Sequence, residues 1–148
     1  MFKNILVPTD GSELSEKAVR SAVSFAKSCD ARITAFYAIP EVKVAYYAEG
    51  LTINSSVMEN MAKAREQDAQ KILGFVESLC RDFGVSYSKQ TMVSDKPYDA
   101  IIKSASENGS DLIFMASHGR SGIGALLLGS ETSKVLAHTK IPVLVFRS

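Results

Sequence analysis

The sequence predicts one α/β domain, a doubly wound sheet of parallel strands with helices on both faces. Three observations predict it. Five short apolar runs alternate with helical periodicity from end to end. Four of these runs are almost continuously apolar, as strands covered on both faces are. The 148 residues suffice for one core and fall short of two independently folded enzyme domains.

Taken in order, the first strand is Ile5 to Pro8, followed at once by Thr9-Asp10-Gly11-Ser12. Ser12 is placed to cap a helix whose inner face carries Leu14, Ala18, Ala22, Phe25 and Ala26. The second strand is Ile33 to Ile39. Residues 40–56 then form a connection longer than usual, read either as a lid or as an excursion packed down by Tyr46 and Tyr47. The longest helix spans about 57–83, with Val57, Met61, Ala64, Ile72, Phe75, Val76 and Leu79 on one face and Gly84 suited to the cap beyond it. Val85 to Val93 is more mixed in polarity and reads as an edge strand. Pro97 opens a third helix carrying Ala100, Ile101 and Ala105. Leu112 to Met115 is the fourth strand, 130–138 a short last helix ending at His138, and Val143 to Phe146 the fifth strand.

Composition excludes several classes. Seventeen Lys and Arg against sixteen Asp and Glu leave a net charge of +1 with no run of one sign, which argues against nucleic acid and anionic membrane as partners. Cys29 and Cys80 stand far apart and outside zinc spacing, and both are expected to be buried thiols. The N-terminal residues run straight into a strand with no signal-peptide pattern, and no stretch reaches the roughly 20 apolar residues of a membrane span, so a cytoplasmic location is expected.

In a doubly wound sheet the ligand crevice lies at the carboxyl ends of the strands, where the winding reverses. Two clusters follow strands: Pro8 to Ser12, and Ala116 to Gly124. Gly119 to Gly129 holds four glycines in eleven residues before a helix that starts at Ser130. Such a bend lets main-chain N–H groups converge, and the helix N-terminus adds its dipole, so the segment reads as a phosphate cradle. The alternative is a plain turn capped by Ser130. Gly124 and Gly129 have the Walker spacing, but Ser130 and Glu131 stand where Lys and Ser or Thr belong; a Gly-x-Gly-x-x-Gly turn and a Gly-x-Ser-x-Gly elbow are also missing. His118 reads as a loop residue that orients backbone or contacts phosphate, and Arg120 as a phosphate partner or a solvated charge. Asp10 is placed either to take ribose hydroxyls or a phosphate-bound Mg²⁺, or to cap the turn.

Lys3 to Ser12, Ser117-His118-Gly119-Arg120-Ser121-Gly122, Leu127-Leu128-Gly129-Ser130 and Ile141 to Val145 together resemble the universal stress protein family over the whole chain. The resemblance implies a Rossmann-like sheet of five parallel strands in the order 3-2-1-4-5 with four helices, usually dimeric. Some members bind ATP through Gly-x-x-Gly-x9-Gly-Ser/Thr, a pattern that falls here on Ala116, Gly119, Gly129 and Ser130. By the same resemblance Pro8, Thr9, Asp10 and the backbone of Ala38 line adenine and ribose, Met115 packs on the base, and Gly119, Gly129, Ser130 and Glu131 surround the phosphates. Ala116 stands where the pattern has glycine, at a cost set by its φ, and Asp95 adds a negative charge where Gly-x-Pro is usual.

The implied function is a cytoplasmic stress-response sensor or regulator that binds ATP, ADP or AMP, with or without Mg²⁺. Catalysis is not required, and slow ATP hydrolysis would be its upper limit. The alternative is a nucleotide-free dimeric module of the same family. A homodimer through strand 141–146 and an unidentified regulatory protein partner are expected, without nucleic acid or membrane.

Overall fold

The computed structural model describes residues 1–42, 55–120 and 127–148. Their elements are β1 (Asn4–Pro8), α1 (Glu13–Cys29), β2 (Arg32–Ile39), α2 (Ser55–Phe83), β3 (Tyr87–Val93), α3 (Pro97–Glu107), β4 (Leu112–Ala116), α4 (Ser130–His138) and β5 (Val143–Phe146). The strands form one parallel sheet in the order β3-β2-β1-β4-β5, which bears out the expected topology and leaves β3 and β5 at the edges.

Alternation along the central strands divides the interior in two. Ile5 and Val7 of β1, with Ile33, Ala35, Leu112 and Phe114, pack under α1 and α2 through Val19, Val23, Leu73 and Val76. Leu6, Phe36, Ile113 and Met115 point the other way, under Ala100, Ile101 and Ala105 of α3 and Val135 of α4. A one-residue slip of β1 would exchange the two sets, so burial on both faces fixes its register.

Local chemistry sets the ends. Ser12 Oγ accepts the Ser15 N–H to start α1, and Asp30, in the left-handed region at φ 52°, ends it. Gly84 at φ 66° ends α2, where the Val85 N–H bonds Cys80 O at 2.8 Å. That bond explains why β3 begins at Tyr87: Val85 is spent closing the helix. Pro97 occupies the first turn of α3, where its missing N–H costs nothing.

Two expectations are corrected. Cys80 is buried, and burial pushes its thiol up to about 11, but Cys29 is only half-buried. The inner face expected for α2 fails at its start: Val57 is 49% and Met61 41% exposed, Ala64 is exposed too, and burial begins at Ala69. Length is the cause. The 29 residues of α2 run about 43 Å at 1.5 Å each, whereas the eight residues of β2 span about 26 Å, so the helix outruns the sheet.

This geometry separates two otherwise similar positions on α2. Leu73→Ala should cost about 2–4 kcal/mol in urea unfolding, because it empties a site that is 1% exposed, whereas Val57→Ala should change stability by about 0.5 kcal/mol or less.

Candidate functional site

β1 and β4 are neighbours, but the chain leaves them in opposite directions, β1 towards β2 and β4 towards β5. Their pairing is confined to Ile5 with Leu112 and Leu6 with Ile113, so their carboxyl ends are not laddered together. A cavity of about 770 Å³ opens there. Pro8, Thr9, Asp10, Ala38, Met115, Ala116, His118, Gly119, Arg120, Gly129, Ser130 and Glu131 all line it. Gly122 lies outside the described residues, as do 43–54 of the long connection.

The first wall is the turn after β1. Thr9 is buried: its N–H donates to Phe36 O at 2.9 Å and its hydroxyl pairs with Ser15 Oγ at 2.9 Å. Asp10 reaches both ways. Its Oδ1 accepts the Ser12 N–H at 2.9 Å and its Oδ2 accepts the Arg120 N–H at 3.0 Å, tying the turn after β1 to the bend after β4. Burial alone would raise the Asp10 pKa; hydrogen bonds from Ser12, Arg120 and Ser15 outweigh it and hold the carboxyl below its ordinary value. The clamp also explains a glycine, since a Cβ on Gly119 would overlap Asp10 Oδ2.

The second wall is the start of α4. The Gly129 N–H closes the bend on Ser117 O at 2.7 Å, and Thr132 Oγ1 donates to Ala116 O at 2.9 Å. Gly129 is the N-cap and Ser130 the first helical residue, which corrects the alternative of Ser130 as the cap. No side chain caps these first-turn amides among the described residues, and Ser130, Glu131 and Thr132 line the cavity. Here the glycine answers a close approach, because a Cβ at Gly129 would sit 2.9 Å from His118 Cα.

The floor is apolar, made by Phe36, Ile101 and Met115, with Pro8 and Pro97 at the sides. Cations are few. The Arg120 guanidinium lies over the first turn, where a Cβ on Gly11 would meet its Nη2 at 3.4 Å. Tyr37 lies on the same side: burial pushes its hydroxyl pKa up, Arg120 opposes and Asp68 adds to the rise. Glu131, the second lining carboxylate, accepts the Tyr98 N–H of α3 on Oε2 at 2.8 Å.

Ala116 is the last residue of β4, and the only described non-glycine residue with positive φ is Asp30, so the glycine-to-alanine change meets no backbone strain. Asp95 is exposed and outside the cavity lining. Ser15, Phe36, Tyr37, Pro97, Ile101 and Thr132 line the cavity without having been singled out for it. Phe36 and Tyr37 precede the Ala38 end of β2, a third strand end that the topology aims at the same crevice. The others come from helix faces, for which the sequence held no signal. Among the described residues no group of three or more His, Cys, Asp or Glu side chains forms a metal centre.

Known proteins are similar to this chain in sequence and fold. The model of the universal stress protein family matches residues 1–147. A universal stress protein of Methanocaldococcus jannaschii is 32% identical over 147 residues, covering 99% of this chain and 83% of that one. The solved structure of MJ0577, a universal stress protein of the same organism, superposes with a TM-score of 0.82 at 29% identity, over 100% of this chain and 97% of that one. A universal stress protein solved in complex with cAMP is similar in fold, with a TM-score of 0.69 at 24% identity, over 99% of this chain and 97% of that one. So is a family protein of Arabidopsis thaliana solved with AMP bound, with a TM-score of 0.69 at 17% identity, over 99% and 92% of the two chains. With the sheet order in place and the family model matching residues 1–147, the chain belongs to the universal stress protein family.

Proposed function

We propose that this chain binds an adenine nucleotide (ATP, ADP or AMP) in the cavity between β1, β2 and β4, and that it serves as a nucleotide-dependent regulator in a stress response. The observation that carries this reading is the union, in one cavity of about 770 Å³, of an apolar floor with the start of α4, whose first-turn amides no side chain caps among the described residues. A flat aromatic base and a polyanion need those two surfaces side by side. The cAMP and AMP complexes of family members support the ligand class.

The base lies on Met115 between Phe36 and Ile101, with the Ala38 main chain at its edge. The ribose meets Thr9 and Asp10. The phosphates take the Gly119 and Arg120 side of the bend, the amides and hydroxyl of Ser130 beyond Gly129, and the positive end of α4, with Arg120 and His118 as the nearby cationic or polar groups. Asp10 would face a Mg²⁺ carried by the phosphates, since each of its oxygens keeps a lone pair beyond the one main-chain N–H it accepts. Bound there, the ion would neutralise phosphate charge.

Calorimetry tests the reading. Wild-type protein should take up ATP, and Gly129→Val should weaken it by about ten-fold or more, since the new Cβ displaces His118 and opens the bend. Equal affinity in the variant would remove the bend from the site. Mass spectrometry of small molecules released on denaturation should identify the nucleotide retained.

A two-fold dimer through β5 goes with this reading, and would offer a regulatory protein partner in the cytoplasm a composite surface. β5 is an edge strand, its four residues Val143–Phe146 are apolar, and all are only half-buried. Unpaired apolar edges invite a second strand. Light scattering at micromolar concentration should give twice the chain mass of 16.0 kDa, and a monomer would contradict the interface.

A further inference from the structure

We propose that Glu131 is a positioning residue of the nucleotide site, holding the first turn of α3 against the first turn of α4 and making no contact with phosphate. The inference rests on the nucleotide reading above and assigns Glu131 a different task from the phosphate contact that family resemblance implies.

The N-terminus of α3 needs an acceptor. Lys96 occupies the N-cap and makes no side-chain hydrogen bond there, and Pro97 has no N–H, so the first amide to satisfy is that of Tyr98. Glu131 supplies the acceptor from α4, across 33 residues of sequence, with Oε2 at 2.8 Å. Its Oε1 lies 3.7 Å from Lys134 Nζ. Lys134 in turn sits 5.5 Å above the Tyr98 ring, and that ring lies 5.3 Å from the His138 ring. Glu131, Lys134 and His138 of α4 therefore converge on one residue of α3.

The consequence reaches the ligand through α3. Pro97 and Ile101 line the cavity, and Ile101 packs in one cluster with Met115 and Val135 of α4, so the placement of α3 against α4 shapes the apolar part of the cavity. Electrostatics favours the same arrangement. A carboxylate in the first turn of α4 would repel a phosphate bound at that turn. Turned towards Tyr98, it lies between the positive ends of two helices and beside Lys134, where its charge is offset.

The test uses Glu131→Gln and Glu131→Ala in the full chain, titrated with adenosine, AMP and ATP, together with hydrogen exchange of the Tyr98 amide. Glutamine keeps an acceptor oxygen, so Glu131→Gln should keep Tyr98 protected and hold affinity for all three ligands within about two-fold. Glu131→Ala should accelerate Tyr98 exchange and weaken all three ligands alike, by about five-fold, the effect of one lost helix cap. Unchanged Tyr98 exchange in Glu131→Ala would overturn the cap. A loss in Glu131→Gln confined to ATP would overturn the positioning role, since it would put the carboxylate on the phosphates or their cation. Wild-type protein that takes up none of the three ligands would defeat the nucleotide reading and the positioning role with it, while Tyr98 exchange would still report the cap.

Discussion

The Asp10 carboxylate joins two loops that the chain separates by more than a hundred residues. One oxygen holds the Ser12 N–H at the start of α1, and the other holds the Arg120 N–H beyond β4. Without that bridge the turn after β1 and the bend after β4 would be two independent connections over an open sheet end. With it they form a single concave surface, and Gly119 must lack a side chain because Asp10 occupies the space. The carboxylate stays charged while partly buried because its hydrogen bonds outweigh its desolvation.

The bridge has this effect only because of where the sheet brings the loops. The order β3-β2-β1-β4-β5 places the reversal of winding between β1 and β4, whose ladder covers only their first halves. Burial of Ile5 and Val7 on one face and Leu6 on the other holds β1 in register, so the turn after Pro8 emerges at a fixed height. The bend is closed from the other side by Gly129 on Ser117 O and Thr132 on Ala116 O. Rigid strands thus deliver both loops, and the hydrogen bonds between them complete the pocket.

Much of this was legible in the residues. Apolar runs located the strands, Ser12, Gly84 and Pro97 marked helix ends by their own stereochemistry, and the clusters after β1 and β4 pointed to the crevice because they follow strands. The rest depends on tertiary placement. Periodicity gave Val57 and Met61 the same standing as Val76, since a helical pattern does not reveal where the sheet beneath it stops. The Glu131 to Tyr98 bond joins residues with no sequence relation, and Ile101 reaches the cavity only through the packing of α3 on Phe36 and Met115. The residues left Ser130 either as the start of α4 or as its cap; it is the first helical residue, and Gly129 takes the cap, where a side chain would strike His118.

The central claim is that an ionised Asp10 clamps the two loops. Its most direct measurement is the stability of wild-type protein against Asp10→Asn as a function of pH. A carboxyl held below its unfolded value stabilises the fold fully above the ordinary carboxylate range and loses that contribution as pH falls through its lower folded value. The account predicts that wild type is the more stable at neutral pH and that the difference shrinks on acidification through that window. A difference that is absent at neutral pH, or that does not change with pH, would contradict it.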